Sequence, residues 1–167
     1  MDRLRDLTHR IIVVADYAIG ALLALLVVIN AAAVFQRYVM FDSISWSEEA
    51  IRYFAVWLTF LGAATASWYL EHMDMDAIGE FLGSGGRRIQ KLVIEACVLG
   101  FALIVSWQSV IYCWLNGRQT APTSGMPMVW VYGAMVVGGL LLVLVTLVRI
   151  ADLLAGRDTG PERMPPA

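Results

Sequence analysis

The chain has 167 residues, of which 59% are hydrophobic and 16% charged, with a formal net charge of −2. A soluble domain carries about a quarter charged residues, so this balance, with apolar runs of 18 residues or more, identifies a polytopic membrane protein. The slight negative charge leaves no basic footprint for nucleic acid.

Met1–Arg10 is a short polar head with Arg3, Arg5 and Arg10, and Ile11–Phe35 is the first apolar run, interrupted by Asp16 and Asn30. The run is too long for a signal-peptide core of about 7–15 residues, so it reads as the first transmembrane helix, 11–35. Asp16 lies barely two turns inside its near end, where snorkelling toward the headgroups is favoured. Gln36–Ser43 reads as a short connection.

The second helix, 45–70, changes character along its length. Ser45 and Glu48 have the S-x-x-E spacing of a capping box, and the carboxylates of Glu48 and Glu49 suit the positive end of the helix dipole. Arg52 is four residues from Glu48 and three from Glu49, so either can pair with it on one helical face. From Tyr53 to Leu70 there is no charge. Such a start is either an anchor at the membrane interface or a contact surface for a second protein. Further in, Gly62, Ala63, Ala64, Ala66 and Ser67 are small enough for neighbouring helices to approach closely.

Residues 71–91 form the longest and most polar connection. Ala77, Ile78, Phe81 and Leu82 at helical spacing predict a short amphipathic interfacial helix there, broken by Gly83–Gly86. His72, Asp74 and Asp76 alternate in the same stretch and read as a solvated, charge-rich turn, so no metal site is expected. The third helix, 89–115, carries Glu95 one turn beyond Lys91, at the spacing of a helical ion pair, and Gln108, suited to a hydrogen bond with a neighbouring helix. Cys97 and Cys113 both lie in this run, roughly 24 Å apart on a helix, and cannot bridge. With only His9 and His72 in different flanking regions, a bis-histidine haem bundle is excluded. Asn116–Met128 is a Gly/Pro/Ser/Thr connection without helix signal. The fourth helix, 129–150, contains Gly133, Gly138 and Gly139 and no charge before Arg149. Residues 1–155 then make one all-α membrane domain, and 156–167 a flexible tail.

Nine of the twelve basic residues fall in the head, the 71–91 loop and the C-terminal end, against three in the other two loops. The positive-inside rule puts both termini in the cytoplasm. Trp46, Trp114, Trp130, Tyr38, Tyr112 and Tyr132 then gather at the outer interface as an aromatic belt. No helix shows the clustered His, Cys, Ser or carboxylate groups of an enzyme, and neither catalytic residues nor a cofactor are expected. Midplane charges and broken helices, which a lone transporter needs, are also missing from the pattern. The alternative is a self-sufficient four-helix transporter acting as a homodimer through Asp16 or Glu95.

Asn30, Arg37-Tyr38, the block Ser45-Trp46-Ser47-Glu48-Glu49 with Arg52, then Trp57 with Phe60-Leu61-Gly62-Ala63, follow one another in order. With His72 and Asp76, and with Pro127 and Tyr132 before the last helix, the chain from about Arg10 to Leu154 resembles the small membrane subunit of tripartite ATP-independent periplasmic (TRAP) transporters, the DctQ-like family. Glu71 departs from the pattern, where a glycine is commoner, and bears on loop shape only. The resemblance implies a non-catalytic scaffold in the bacterial inner membrane, surrounded by lipid and packed against a large membrane subunit. That partner would import an organic-acid-type solute with sodium, delivered by a periplasmic solute-binding protein. The expected partner interface is then Trp46, Glu48, Glu49, Arg52 and Trp57. The expected helix-packing residues are Asn30, Gly62, Ala63 and Ala66, and the expected helix cap is Ser45 with Glu48.

Overall fold

The computed structural model of the chain describes residues 2–41, 45–69 and 84–155. Four α-helices lie among the described residues: α1 (Asp2–Phe35), α2 (Ser47–Tyr69), α3 (Ser84–Asn116) and α4 (Val129–Leu154). Each includes a stretch long and apolar enough to cross a membrane, which is the four-span, all-helical architecture that the apolar runs require. The expected interfacial helix around 77–82, and His72, Asp74 and Asp76 beside it, lie outside the described residues.

α1 begins nine residues earlier than its apolar run, at Asp2. The reason is tertiary. Thr8, in the middle of the charged head, is buried with Ile12 and Ala15, and its hydroxyl donates to the Leu4 carbonyl at 2.9 Å. At its far end α1 widens into a π-helical turn, Gln36–Met40, where a loose connection is expected from the sequence. The turn stops at Phe41, whose backbone is left-handed (φ 54°, ψ 23°) and whose N–H donates to the Gln36 carbonyl. A left-handed non-glycine residue costs about 1–2 kcal/mol. Helix and turn together run roughly 57 Å, against about 30 Å of hydrocarbon.

The helices do not pack in chain order. α4 packs against both α2 and α3, α1 packs on α2, and α1 touches α4 only slightly. Two adjacent glycines let α4 meet two neighbours, because successive residues on a helix point about 100° apart. A Cβ on Gly138 would lie 2.6 Å from Phe60 Cβ and 2.7 Å from the Phe60 carbonyl on α2, and one on Gly139 would lie 2.7 Å from Ser106 Oγ on α3. The small residues of α2 are used differently. Ala64 is fully buried, Ala66 is half-buried, and Ala63 is exposed, as is Asn30 on α1. A Cβ on Gly62 would meet nothing within 4 Å. Gly138→Val should therefore force α2 and α4 apart and lower stability by about 1–3 kcal/mol or more, read as a depressed thermal midpoint in detergent. Gly62→Ala, as a control, should leave that midpoint unchanged.

Where α1 starts and α4 finishes, Ile12, Trp68 and Val145 form the buried cluster, with Tyr69 and Val148 packed against it. The opposite end carries the π-helical turn, the start of α2 and the loop between α3 and α4.

Candidate functional site

At that opposite end, the first turns of α2 divide their side chains between two environments. Glu49, Tyr53 and Trp57, spaced by four, point along one face into the protein. Glu49 is buried, and its two carboxylate oxygens accept from the backbone N–H groups of Thr123 (3.0 Å) and Ser124 (2.9 Å). Hydrogen bonds to an ionised acceptor are about twice as strong as neutral ones. Tyr53 O–H donates to Met128 Sδ at 3.4 Å, and Trp57 Nε1–H donates to the Trp130 carbonyl at 3.1 Å. This face stitches α2 to the loop before α4 and to the first turn of α4.

The loop itself is folded, although its composition shows only turn residues. An isolated bridge joins Thr120 to Pro127. The Ala121 N–H donates to the Met126 carbonyl at 2.8 Å, and the Met128 N–H to the Gln119 carbonyl at 2.9 Å. Gly125 takes φ 67° at the tip, a conformation open to glycine without steric cost. Glu49 thus grips the turn of a small hairpin.

Trp46, Glu48 and Arg52 are exposed. Glu48 Oε1 accepts from Arg37 Nη2 at 2.6 Å, with the two side chains 64% and 58% exposed, so the pair contributes at most about 1 kcal/mol to stability. Arg52 makes no ion pair among the described residues. Its two candidate carboxylates have other partners: Glu48 meets the arginine of the π-helical turn, and Glu49 the hairpin. Ser45 lies in the turn before α2, which starts at Ser47. An open cavity of about 450 Å³ separates α1 from α2 here, lined by Asn30, Arg37, Tyr38, Ser45, Glu48 and Ile51 among others. Of the five expected interface residues, then, Trp46, Glu48 and Arg52 are available to another protein, whereas Glu49 and Trp57 are engaged within the chain.

At the other end, one arginine joins three helices. Arg149 on α4 pairs with Glu95 on α3 through Nη2 and Oε1 at 2.9 Å. Its Nη1 also donates to the Ser67 carbonyl of α2 at 2.5 Å, in the last turn of that helix. The Arg149 and Glu95 side chains are only 16% and 7% exposed. This interhelical pair goes beyond the Lys91 spacing read from the sequence. The signal that could have found it is that Arg149 carries the first charge in an apolar run of more than twenty residues. Asp16, expected to reach for the headgroups, instead accepts from Tyr69 O–H at 2.6 Å. Gln108, expected to bond to a neighbouring helix, is exposed on α3. Among the described residues, no three His, Cys, Asp or Glu side chains gather as metal ligands would.

The model of a family described as tripartite ATP-independent periplasmic transporters, DctQ component, matches residues 26–156. A TRAP transporter small permease protein of Haemophilus influenzae is 30% identical over 147 residues, covering 88% of this chain and 91% of the relative. The isethionate TRAP transporter permease protein DctMQ of Oleidesulfovibrio alaskensis is 29% identical over 84 residues, which are 49% of this chain and 13% of that longer protein.

Proposed function

The chain belongs to the DctQ component family of tripartite ATP-independent periplasmic transporters, and we propose that it is the non-catalytic scaffold of such a transporter. In this reading it supports a large membrane subunit of the bacterial inner membrane. The large subunit imports an organic-acid-type solute with sodium, received from a periplasmic solute-binding protein. The observation that carries the reading is the division of the first turns of α2. One face is spent on internal bonds, while Trp46, Glu48 and Arg52 stay exposed beside the Arg37 pair. An exposed tryptophan flanked by arginine and carboxylate has the composition of an interface anchor. Asp16 and Glu95, the carboxylates a self-sufficient transporter would use, are already engaged by Tyr69 and Arg149.

The chain is expected to co-purify with the large membrane subunit and, reconstituted alone with a sodium gradient, to move no organic acid. Uptake by the lone chain would overturn the scaffold reading. At matched membrane levels, Arg52→Ala and Glu48→Ala should each reduce recovery of the large subunit and substrate uptake, and wild-type behaviour of both variants would remove this turn from the interface.

Both termini face the cytoplasm in this arrangement. Single cysteines replacing Asp42 or Thr123, in a Cys97→Ser, Cys113→Ser background, should label from outside intact cells, and one replacing Gly85 should not. Labelling of the Gly85→Cys variant by an impermeant reagent would reverse the orientation.

A further inference from the structure

The outer side of α1 carries a surface that none of these contacts uses. Its inner side, with Thr8, Ile12 and Ala15, is packed on the bundle. On the outer side Leu4, Leu7, Ile11 and Val14 recur at alternating spacings of three and four, and the same spacing stays apolar through Phe35 and Val39. This is a heptad seam of about five repeats, the pattern by which one helix receives another. Leu4, Leu7 and Val14 are 61%, 56% and 68% exposed.

Inside the hydrocarbon, acyl chains cover such a seam as well as protein does. The head of α1 is different. Residues 2–10 read DRLRDLTHR, and the only apolar side chains among them, Leu4 and Leu7, both fall on the seam. A helix of roughly 57 Å overshoots about 30 Å of hydrocarbon, and the charged head is the part that lies outside. No acyl chain reaches these two leucines, so the seam continues where only protein can cover it.

Charge then selects the partner. Arg3 and Arg10, one heptad apart on the same flank of the seam, are exposed, and neither makes an ion pair among the described residues. Copies of a membrane protein share one orientation, so two α1 helices would run parallel. In a parallel pair the positions facing Arg3 and Arg10 are those of Thr8 and Ala15. Both are already buried in their own bundle, and neither bears a carboxylate. A second copy of this chain therefore offers nothing to either arginine.

We propose that the outer seam of α1 is the docking surface for a helix of the large membrane subunit. That helix continues past the membrane on the side of the termini, lays aliphatic residues along the seam and turns carboxylates toward Arg3 and Arg10. The inference rests on the scaffold reading and names the helix through which the scaffold holds its partner.

The test uses the assembled complex. A photoreactive benzoylphenylalanine is placed singly at Leu7, Val14, Val28 or Val27, both subunits are co-expressed, and the membranes are irradiated. The adduct and the unlinked large subunit are both recovered through a tag on the small one. Adducts containing the large subunit are expected from Leu7, Val14 and Val28, on the seam, and not from Val27, which is exposed but turned about 100° away. The double variants Leu4→Asn with Leu7→Asn, and Arg3→Glu with Arg10→Glu, should each lower recovery of the large subunit about tenfold. If the large subunit co-purifies but the seam gives no adduct with it, or links only to a second copy, the seam is not its docking surface and the scaffold reading stands. If the large subunit does not co-purify with the unmodified chain at all, both fall together.

Discussion

Replacing Arg149 with alanine is expected to destabilise the subunit by about 3–5 kcal/mol, the cost of leaving a buried charge without its partner. The substitution removes the interhelical partner of Glu95 and the donor to the Ser67 carbonyl, so α2, α3 and α4 lose their common tie at once. Thermal unfolding of the purified subunit in detergent measures the effect. Removing both charges, as Glu95→Gln with Arg149→Met, should recover most of the lost stability, because a buried ion pair replaced by groups of similar volume is often neutral. An Arg149→Ala protein as stable as wild type would show that the pair is solvated and expendable.

The second large effect is expected from Glu49→Ala. Two backbone donors at the hairpin tip then lose a charged acceptor, and the loop opens more often. Proteolytic cleavage between Gly117 and Met128 should rise on the order of tenfold, with insertion into the membrane unchanged. Transport by the complex should fall as well, since the hairpin sits beside the exposed Trp46, Glu48 and Arg52. Glu48→Ala makes the sharp comparison. It removes the neighbouring carboxylate but none of the bonds to the hairpin, so cleavage should stay at the wild-type rate while recovery of the large subunit drops. Equal cleavage in both variants would show that Glu49 is not what holds the loop.

The four spans and the family were legible in the sequence for a physical reason. Hydrocarbon imposes the same demand on every spanning residue, so composition alone marks the helices, and the Ser45–Arg52 block is distinctive where it opens one. The partners of the polar groups were less accessible. Spacing rules see a single helix, and they offered Arg52 to Glu48 and Glu49, and offered Glu95 nothing beyond its own helix. The carboxylates of Glu48 and Glu49 and the Glu95 carboxylate found partners in Arg37, in the hairpin and in Arg149, eleven to some seventy-five residues away in sequence. One part of the division was nonetheless available beforehand. Glu48 and Glu49 are adjacent, so on a helix they point about 100° apart and do not share a surface. The start of α1 went unseen because charged residues mask a helix whose stability comes from Thr8 and Ile12 packing on the bundle. The close approach of α4 was carried by a glycine pair rather than by the denser run of small residues on α2.

The position of α4 has a consequence for how the protein is made. Of the four it is the last to leave the ribosome, yet α3 packs chiefly on it and α2 meets its second neighbour through it. Arg149 follows Glu95 by about fifty residues, which at ~5–20 residues per second is a wait of roughly 2–10 s. During that interval α3 stands in the bilayer with its interhelical ion pair not yet formed and its packing face bare. Biogenesis must therefore keep the first three helices near the insertion site until the fourth arrives, and a chain that stops short of Arg149 leaves α3 as the element for membrane quality control to recognise.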